Sequence, residues 1–200
     1  MTTLTLVRHG QTDWNLARRI QGATDVPLND TGRGQARDAA AALRPDLAPD
    51  STVVVASDLS RARETAEIIA AELGLDAPRL YPELRERAYG EAEGVLVEEF
   101  PERFGGWDRD SIPGAESRTE LRRRGVRAVR RVARDVRRDT APTAVSVIAV
   151  SHGALIGELI RHASGDTLPL PGERLDNGSL HRFVIERESI RLLRYAGAVV

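Results

Sequence analysis

Two histidines that are each followed at once by glycine, His9-Gly10 and His152-Gly153, are the residues best suited to chemistry in this chain. Arg8 precedes the first, and Arg61 closes the polar run Ser57-Asp58-Leu59-Ser60-Arg61. A guanidinium is permanently charged and presents a planar fork of donors that matches a phosphate. An imidazole can act as a nucleophile near neutral pH, and a glycine lets the backbone approach a ligand closely. Together these residues predict a pocket for a phosphoryl group with a histidine at its centre and no metal. If the histidine takes the phosphoryl group onto a ring nitrogen, the departing oxygen needs a proton, which a carboxyl held in its acid form could supply. The stretch Pro82–Gly90 offers Glu83 and Glu86 for that role, and spacing does not choose between them.

Composition narrows the chemistry further. The chain has 200 residues, enough for one domain with a core, and all of its 29 basic residues are arginine. With no lysine and no cysteine, a P-loop lysine, a Schiff base, a Ser-Lys dyad, a thiolate nucleophile, disulfides and cysteine-ligated metals are all excluded. Covalent catalysis is left to Ser, Thr, Asp, Glu, Tyr or one of four histidines, His9, His152, His162 and His181. The formal net charge of −1 argues against a nucleic-acid partner. No segment approaches the ~18 apolar residues of a membrane span. No basic start followed by a long apolar stretch opens the sequence, so the expected location is cytoplasmic.

The elements that must position these residues are legible as short apolar runs alternating with helical stretches. Leu4–Val7, Thr52–Ala56 and Val145–Val150 read as strands buried on both faces of a parallel sheet. Between and after them, Thr31–Leu43, Ser60–Leu73, Glu116–Arg138 and Ala154–His162 read as helices, the first entered through Asn29-Asp30 and the second closed by Gly74. Leu180–Ile185 and Ile190–Tyr195 pair by their spacing as two final strands. The pattern predicts a single α/β/α three-layer domain with a mainly parallel central sheet. In such a sheet, ligands bind beyond the C-terminal ends of the strands, which is where Arg8-His9-Gly10, Ser57–Arg61 and Ser151-His152-Gly153 fall. Gly94–Ser117 is interrupted by glycine and proline. It predicts a short helix around Val97–Phe100 followed by a long loop that faces the substrate or covers it as a lid. Its aromatics Phe100, Phe104 and Trp107 are expected in the core rather than against a ligand.

The motifs in order resemble one family closely. Leu6-Val7-Arg8-His9-Gly10-Gln11-Thr12-Asp13-Trp14-Asn15 is similar to the signature of the histidine phosphatase superfamily, in the branch of cofactor-dependent phosphoglycerate mutases and small phosphatases. The likeness continues through Gln21-Gly22, Ser57–Ala62, Leu84-Arg85-Glu86, Tyr89-Gly90, Glu93-Gly94, Pro113–Ser117 and Ser151-His152-Gly153. It implies a phosphoglycerate mutase-like fold, with His9 phosphorylated and Arg8, Arg61 and His152 binding the phosphoryl group. Among the carboxylates it selects Glu86 as proton donor, with Glu83 in reserve. It also implies that Asn15, Gln21, Gly22, Thr24, Ser57 and Tyr89 contact substrate, that no cofactor is needed, and that a homodimer through the sheet edge is compatible. Mutases of the family carry added segments after the acid and a tail over the pocket. Here that stretch is short and only Ala196–Val200 follows the last strand. The expected reaction is therefore hydrolysis of a small organic phosphate, with mutase or phosphoprotein phosphatase activity, or a silent binding module, as the alternatives.

Other features are expected to be structural. Arg122–Arg138 holds nine arginines, but its apolar stripe fits a helix packed on the sheet with a solvated face balanced by Asp135 and Asp139. His162 and His181 lie outside the motifs, Trp14 packs beside the phosphate loop, and Asn177-Gly178-Ser179 reads as a turn into the next strand.

Overall fold

The computed structural model describes residues 1–105 and 112–199. Apolar β-branched runs form β1 (Thr2–Arg8), β2 (Thr52–Ala56) and β4 (Ser146–Ser151), with the two-residue β3 (Arg79–Leu80) at one edge. These four are parallel, and β1 then pairs antiparallel with β5 (Leu180–Ile185), followed by β6 (Ile190–Tyr195) and β7 (Ala198–Val199). The order across the sheet is β3-β2-β4-β1-β5-β6-β7. The parallel half carries the expected edge of C-terminal strand ends. The antiparallel half brings the start of β5 to the same edge, since Val7 faces Leu180.

Helices cover both faces. One face carries α2 (Asp30–Leu43) and α3 (Ser60–Leu73), whose Ala39, Ala40, Ala66 and Ile69 bury against Val7, Val54 and Ile148. The other carries α5 (Arg118–Thr140) and α6 (Gly153–Ser164), with Val129, Val132, Val136, Leu155 and Leu159 against Leu4, Leu6 and Val147. Each buried valine, leucine or isoleucine among them contributes roughly 1.5–3 kcal/mol by leaving water, and each alanine less. The caps follow the sequence. Asn29 accepts the Gly32 N–H at 2.9 Å at the start of α2, and Gly74 closes α3 at φ 69°. α5 begins two residues later than expected, because Ser117 and Glu120 form a reciprocal cap at its entrance. Among the described residues, no helix is long and apolar enough to cross a membrane.

Between the layers and the site lies a third, smaller cluster. The single turn α1 (Asp13–Leu16) follows β1, and Ile20 beyond it packs with Ala92, Phe100 and Ile112. The helix α4 spans Phe100–Phe104 rather than Val97–Phe100, with Pro101 in its first turn, where a missing N–H costs nothing. Phe100 is buried and Phe104 packs on it, so both belong to this cluster. Trp107 lies outside the described residues. Phe100→Ala should cost about 3–5 kcal/mol in urea unfolding, the usual penalty for emptying a buried aromatic position; a loss below about 1 kcal/mol would remove it from the core.

Candidate active site

The loops after β1, β2 and β4 converge, as the sheet requires. The His9 N–H donates to the Ser151 carbonyl at 2.9 Å, continuing the ladder one residue past β1. His9 is buried, and its Nδ1 lies 2.7 Å from the Gly10 carbonyl oxygen. A carbonyl can only accept, so Nδ1 carries the hydrogen and Nε2 keeps its lone pair. Burial, then the cations of Arg61 and Arg8, hold the His9 pKa well below its ordinary value, leaving a neutral imidazole.

His152 occupies the residue just before α6, completely buried, with its ring centroid 5.1 Å from that of His9. Neither of its ring nitrogens has a hydrogen-bonding partner among the described residues. Burial again leads in lowering its pKa, followed by Arg61 and His9. A buried polar ring without a partner is costly, and a ligand oxygen between the two histidines would relieve that cost.

Arg61, in the first turn of α3, is completely buried. Its terminal nitrogens donate to the carbonyls of Thr24 and Gly22, both at 2.8 Å, while its Nε has no partner among the described residues. Arg8 donates to the Leu175 carbonyl, and its buried Nε is likewise without a partner. Burial lowers both arginine pKa values, with Glu86 opposing, yet an arginine keeps its charge under physiological conditions. Both forks are therefore braced by carbonyls and retain charge without direct neutralisation.

Glu86 lines the same cavity and sits at the start of α6. Its carboxylate accepts the N–H groups of Arg87 at 2.8 Å, Ala154 at 3.0 Å and Leu155 at 3.2 Å. Arg124 of α5 fixes the backbone of this segment, donating to the carbonyls of Glu83, Arg85 and Glu86. Glu83 is turned away: its carboxylate pairs with Arg131 and does not line the cavity. The structure thus separates the two acids that spacing left equivalent.

The remaining expected residues divide. Asn15, Gln21, Gly22 and Tyr89 line the cavity, whose volume is about 500 Å³. The Asn15 Oδ1 accepts from Thr12 and Asn177, which leaves its amide NH2 for the cavity. Tyr89 lies under Arg87, whose guanidinium carbon is 5.0 Å from the ring centroid, and burial raises its pKa. Thr24, Ser57 and His152, all expected against the substrate or its phosphoryl group, do not line the cavity, although His152 adjoins the lining residues His9 and Gly153. Thr24 braces Arg61 through its carbonyl, and the Ser57 hydroxyl accepts the Leu59 N–H at 3.3 Å at the mouth of α3. Gly10 also departs from expectation: a Cβ there would fall 2.3 Å from the Gly32 carbonyl oxygen, so its small size serves packing against α2. The arginines of α5 are not all solvated either, since Arg118, Arg122 and Arg124 make ion pairs turned toward the domain.

Two residues that shape the site carried no expected role. Asn177, read only as a turn, donates to the His9 carbonyl at 2.9 Å. Glu93 accepts the N–H groups of Ala23 and Thr24 at 2.9 Å and of Tyr89 at 3.0 Å, tying the loop that braces Arg61 to the Tyr89 segment. Gly22 must be glycine there, because at φ 56° a Cβ would meet the Glu93 carboxylate at 2.2 Å. Among the described residues, no three His, Cys, Asp or Glu side chains group to hold a metal ion.

The chain is similar to several known proteins over nearly its whole length. The histidine phosphatase superfamily (branch 1) profile matches residues 4–197. The uncharacterized phosphatase PhoE of Bacillus subtilis is 38% identical over 196 residues, covering 98% of this chain and 94% of that one. The probable phosphoglycerate mutase GpmB of Photorhabdus laumondii is 37% identical over 195 residues, covering 91% and 84%. Among solved structures, a mycobacterial glucosyl-3-phosphoglycerate phosphatase in complex with VO3 superposes with a TM-score of 0.78 at 28% identity, covering 98% and 99%.

Because both imidazoles have pKa values well below the ordinary 6.5, the unfolded chain binds protons that the folded one excludes. Their contribution to stability is therefore full above about pH 6.5 and declines as the pH falls below it. Nitrogen-15 NMR of histidine-labelled protein should show His9 and His152 neutral at pH 6; protonation of either at that pH would contradict this electrostatic reading.

Proposed function

The chain belongs to the histidine phosphatase superfamily, and from that premise we propose that it is a phosphomonoesterase of the histidine acid type acting on a small organic phosphate. The observation that carries the reading is the neutral His9 imidazole, its Nδ1 hydrogen given to Gly10, beside two buried guanidinium groups that keep their charge.

In the proposed cycle the ester's phosphoryl oxygens rest on Arg8, Arg61, the Asn15 amide and His152. The Nε2 lone pair of His9 attacks phosphorus, the bond from phosphorus to the ester oxygen breaks, and Glu86 in its acid form protonates the departing alcohol. Water then attacks the phosphohistidine and gives a proton to the Glu86 carboxylate. The bond from phosphorus to nitrogen breaks and orthophosphate leaves. Negative charge on the transferring group is stabilised throughout by donors fixed before substrate arrives, which is the main source of rate in phosphoryl transfer. No metal and no cofactor takes part in this scheme.

A cavity of about 500 Å³ suits a small molecule better than a folded protein or nucleic acid. Hydrolysis is preferred to mutase chemistry because a mutase must hold its intermediate away from water, and the stretch from Glu86 to Pro113 is short for the covering segments mutases carry. Vanadate is expected to inhibit, by analogy with the related phosphatase solved with VO3.

His9→Ala should reduce hydrolysis of an aryl phosphate by at least about a thousandfold, the usual scale for a lost nucleophile. Undiminished turnover by the variant would sink the assignment. Wild-type turnover should persist in excess EDTA; a large loss restored by a divalent cation would contradict the metal-free scheme.

A further inference from the structure

Residues 175–179, which lead into β5, hold the end of β1 by backbone and side chain together. The Arg8 N–H donates to the Ser179 carbonyl at 3.1 Å and the Gly178 N–H to the Arg8 carbonyl at 2.9 Å, while the Arg8 guanidinium donates to the Leu175 carbonyl. One residue further on, the His9 carbonyl lies beyond the paired residues of both neighbouring strands. A backbone carbonyl left in that position needs a donor. The Asn177 side-chain amide supplies one at 2.9 Å. The turn itself does not explain an asparagine here. The Ser179 N–H donates to the Asp176 carbonyl at 3.1 Å, which makes Asn177 and Gly178 the central residues of a β-turn. An Asn-Gly pair suits hairpins in which both residues take a positive φ. Gly178 has φ 79°, whereas Asn177 does not take a positive φ. The turn therefore requires the glycine and places no such demand on Asn177.

What the side chain does is set by its second contact. The Asn177 amide nitrogen lies 3.3 Å from the Asn15 Oδ1, which also accepts the Thr12 N–H at 3.1 Å. The His9 carbonyl can only accept and the Thr12 N–H can only donate, so the orientation of both amides follows from their neighbours. The Asn177 NH2 faces His9 and Asn15, and the Asn15 NH2 is turned toward the cavity that Asn15 lines. The Thr12 contact lies within the cap of α1, whereas Asn177 ties that single turn to the end of β1. Asn177 is not among the residues that line the cavity. We propose that Asn177 is a positioning residue for phosphoryl transfer: anchored on the His9 carbonyl, it holds the Asn15 NH2 toward the group that His9 receives. A donor fixed in place before the substrate arrives needs no reorganisation as charge develops. The inference rests on the reading of His9 as the phosphorylated residue and Asn15 as a phosphoryl donor.

A double-mutant cycle of Asn177→Ala and Asn15→Ala tests it. Two constants are read for each protein: kcat/KM for an aryl phosphate, and the inhibition constant of vanadate, which mimics five-coordinate phosphorus. The vanadate constant does not depend on the fraction of protein that is folded, so a merely structural role would not move it. Asn177→Ala should lower kcat/KM and weaken vanadate by about tenfold each. The double variant should fall short of the product of the two single losses by about threefold or more, because Asn177 acts through Asn15. Asn177→Asp keeps the shape and puts an oxygen opposite two acceptors, so it should lose more than Asn177→Ala; thermal unfolding checks that each variant is folded. A loss in Asn177→Ala below about threefold in both constants, or losses that multiply fully with those of Asn15→Ala, overturns the positioning role and leaves the hydrolase reading intact. Undiminished turnover by His9→Ala overturns the hydrolase reading and this inference with it.

Discussion

The rest of the site depends on one constraint, which is that Arg61 is a permanent cation with no exposed surface and, among the described residues, no ion pair to a carboxylate. A buried charge of this kind is expensive unless its donors are satisfied and its field is answered. The carbonyls of Gly22 and Thr24 satisfy part of the fork, and the field acts on everything nearby. Burial first, and then this field, lower the pKa values of His9 and His152, and the same field favours an anion nearby.

That constraint passes outward through a chain of contacts. Glu93 fixes the loop whose carbonyls hold Arg61, Gly22 makes room for Glu93, and the small cluster of Ile20, Ala92 and Phe100 anchors the chain just before Gly22 and Glu93. On the opposite wall, Arg124 of α5 pins the backbone of the segment that carries Glu86, and the start of α6 receives its carboxylate. The acid and the arginine clamp are therefore built on different layers of the domain and meet only at the sheet edge. The contacts show how this constellation is held together here.

Much of this arrangement is legible in the sequence. Short unalternating runs identify buried strands, and in a parallel sheet the residues just past them share one edge, which is why His9, Arg61 and His152 could be grouped from spacing. Glu83 and Glu86 could not be separated that way, because three residues in an irregular segment carry no directional information. Their carboxylates are set apart by Arg131 and by the α6 N–H groups, which are remote in sequence. Thr24 and Ser57 fall near the same edge yet outside the cavity lining, because lying near the edge does not say whether a side chain faces the cavity or a neighbouring loop. Asn177 had a usable signal, since a strand antiparallel to β1 must begin near the end of β1, but the pairing partner of β5 is set by the whole sheet. The arginines of α5 looked like a solvated face because composition does not reveal which of them point inward toward Glu158 and Glu116.

The central claim is that a neutral His9 receives the phosphoryl group through Nε2. Rapid quenching into alkali during turnover, followed by peptide mass spectrometry and phosphorus-31 NMR, tests it directly. The account predicts a transient, acid-labile phosphoryl group on the peptide containing His9, with the chemical shift of the Nε2 isomer. Phosphate attached elsewhere, or turnover with solvent oxygen incorporated in a single inverting displacement at phosphorus and no phosphoenzyme, would contradict it.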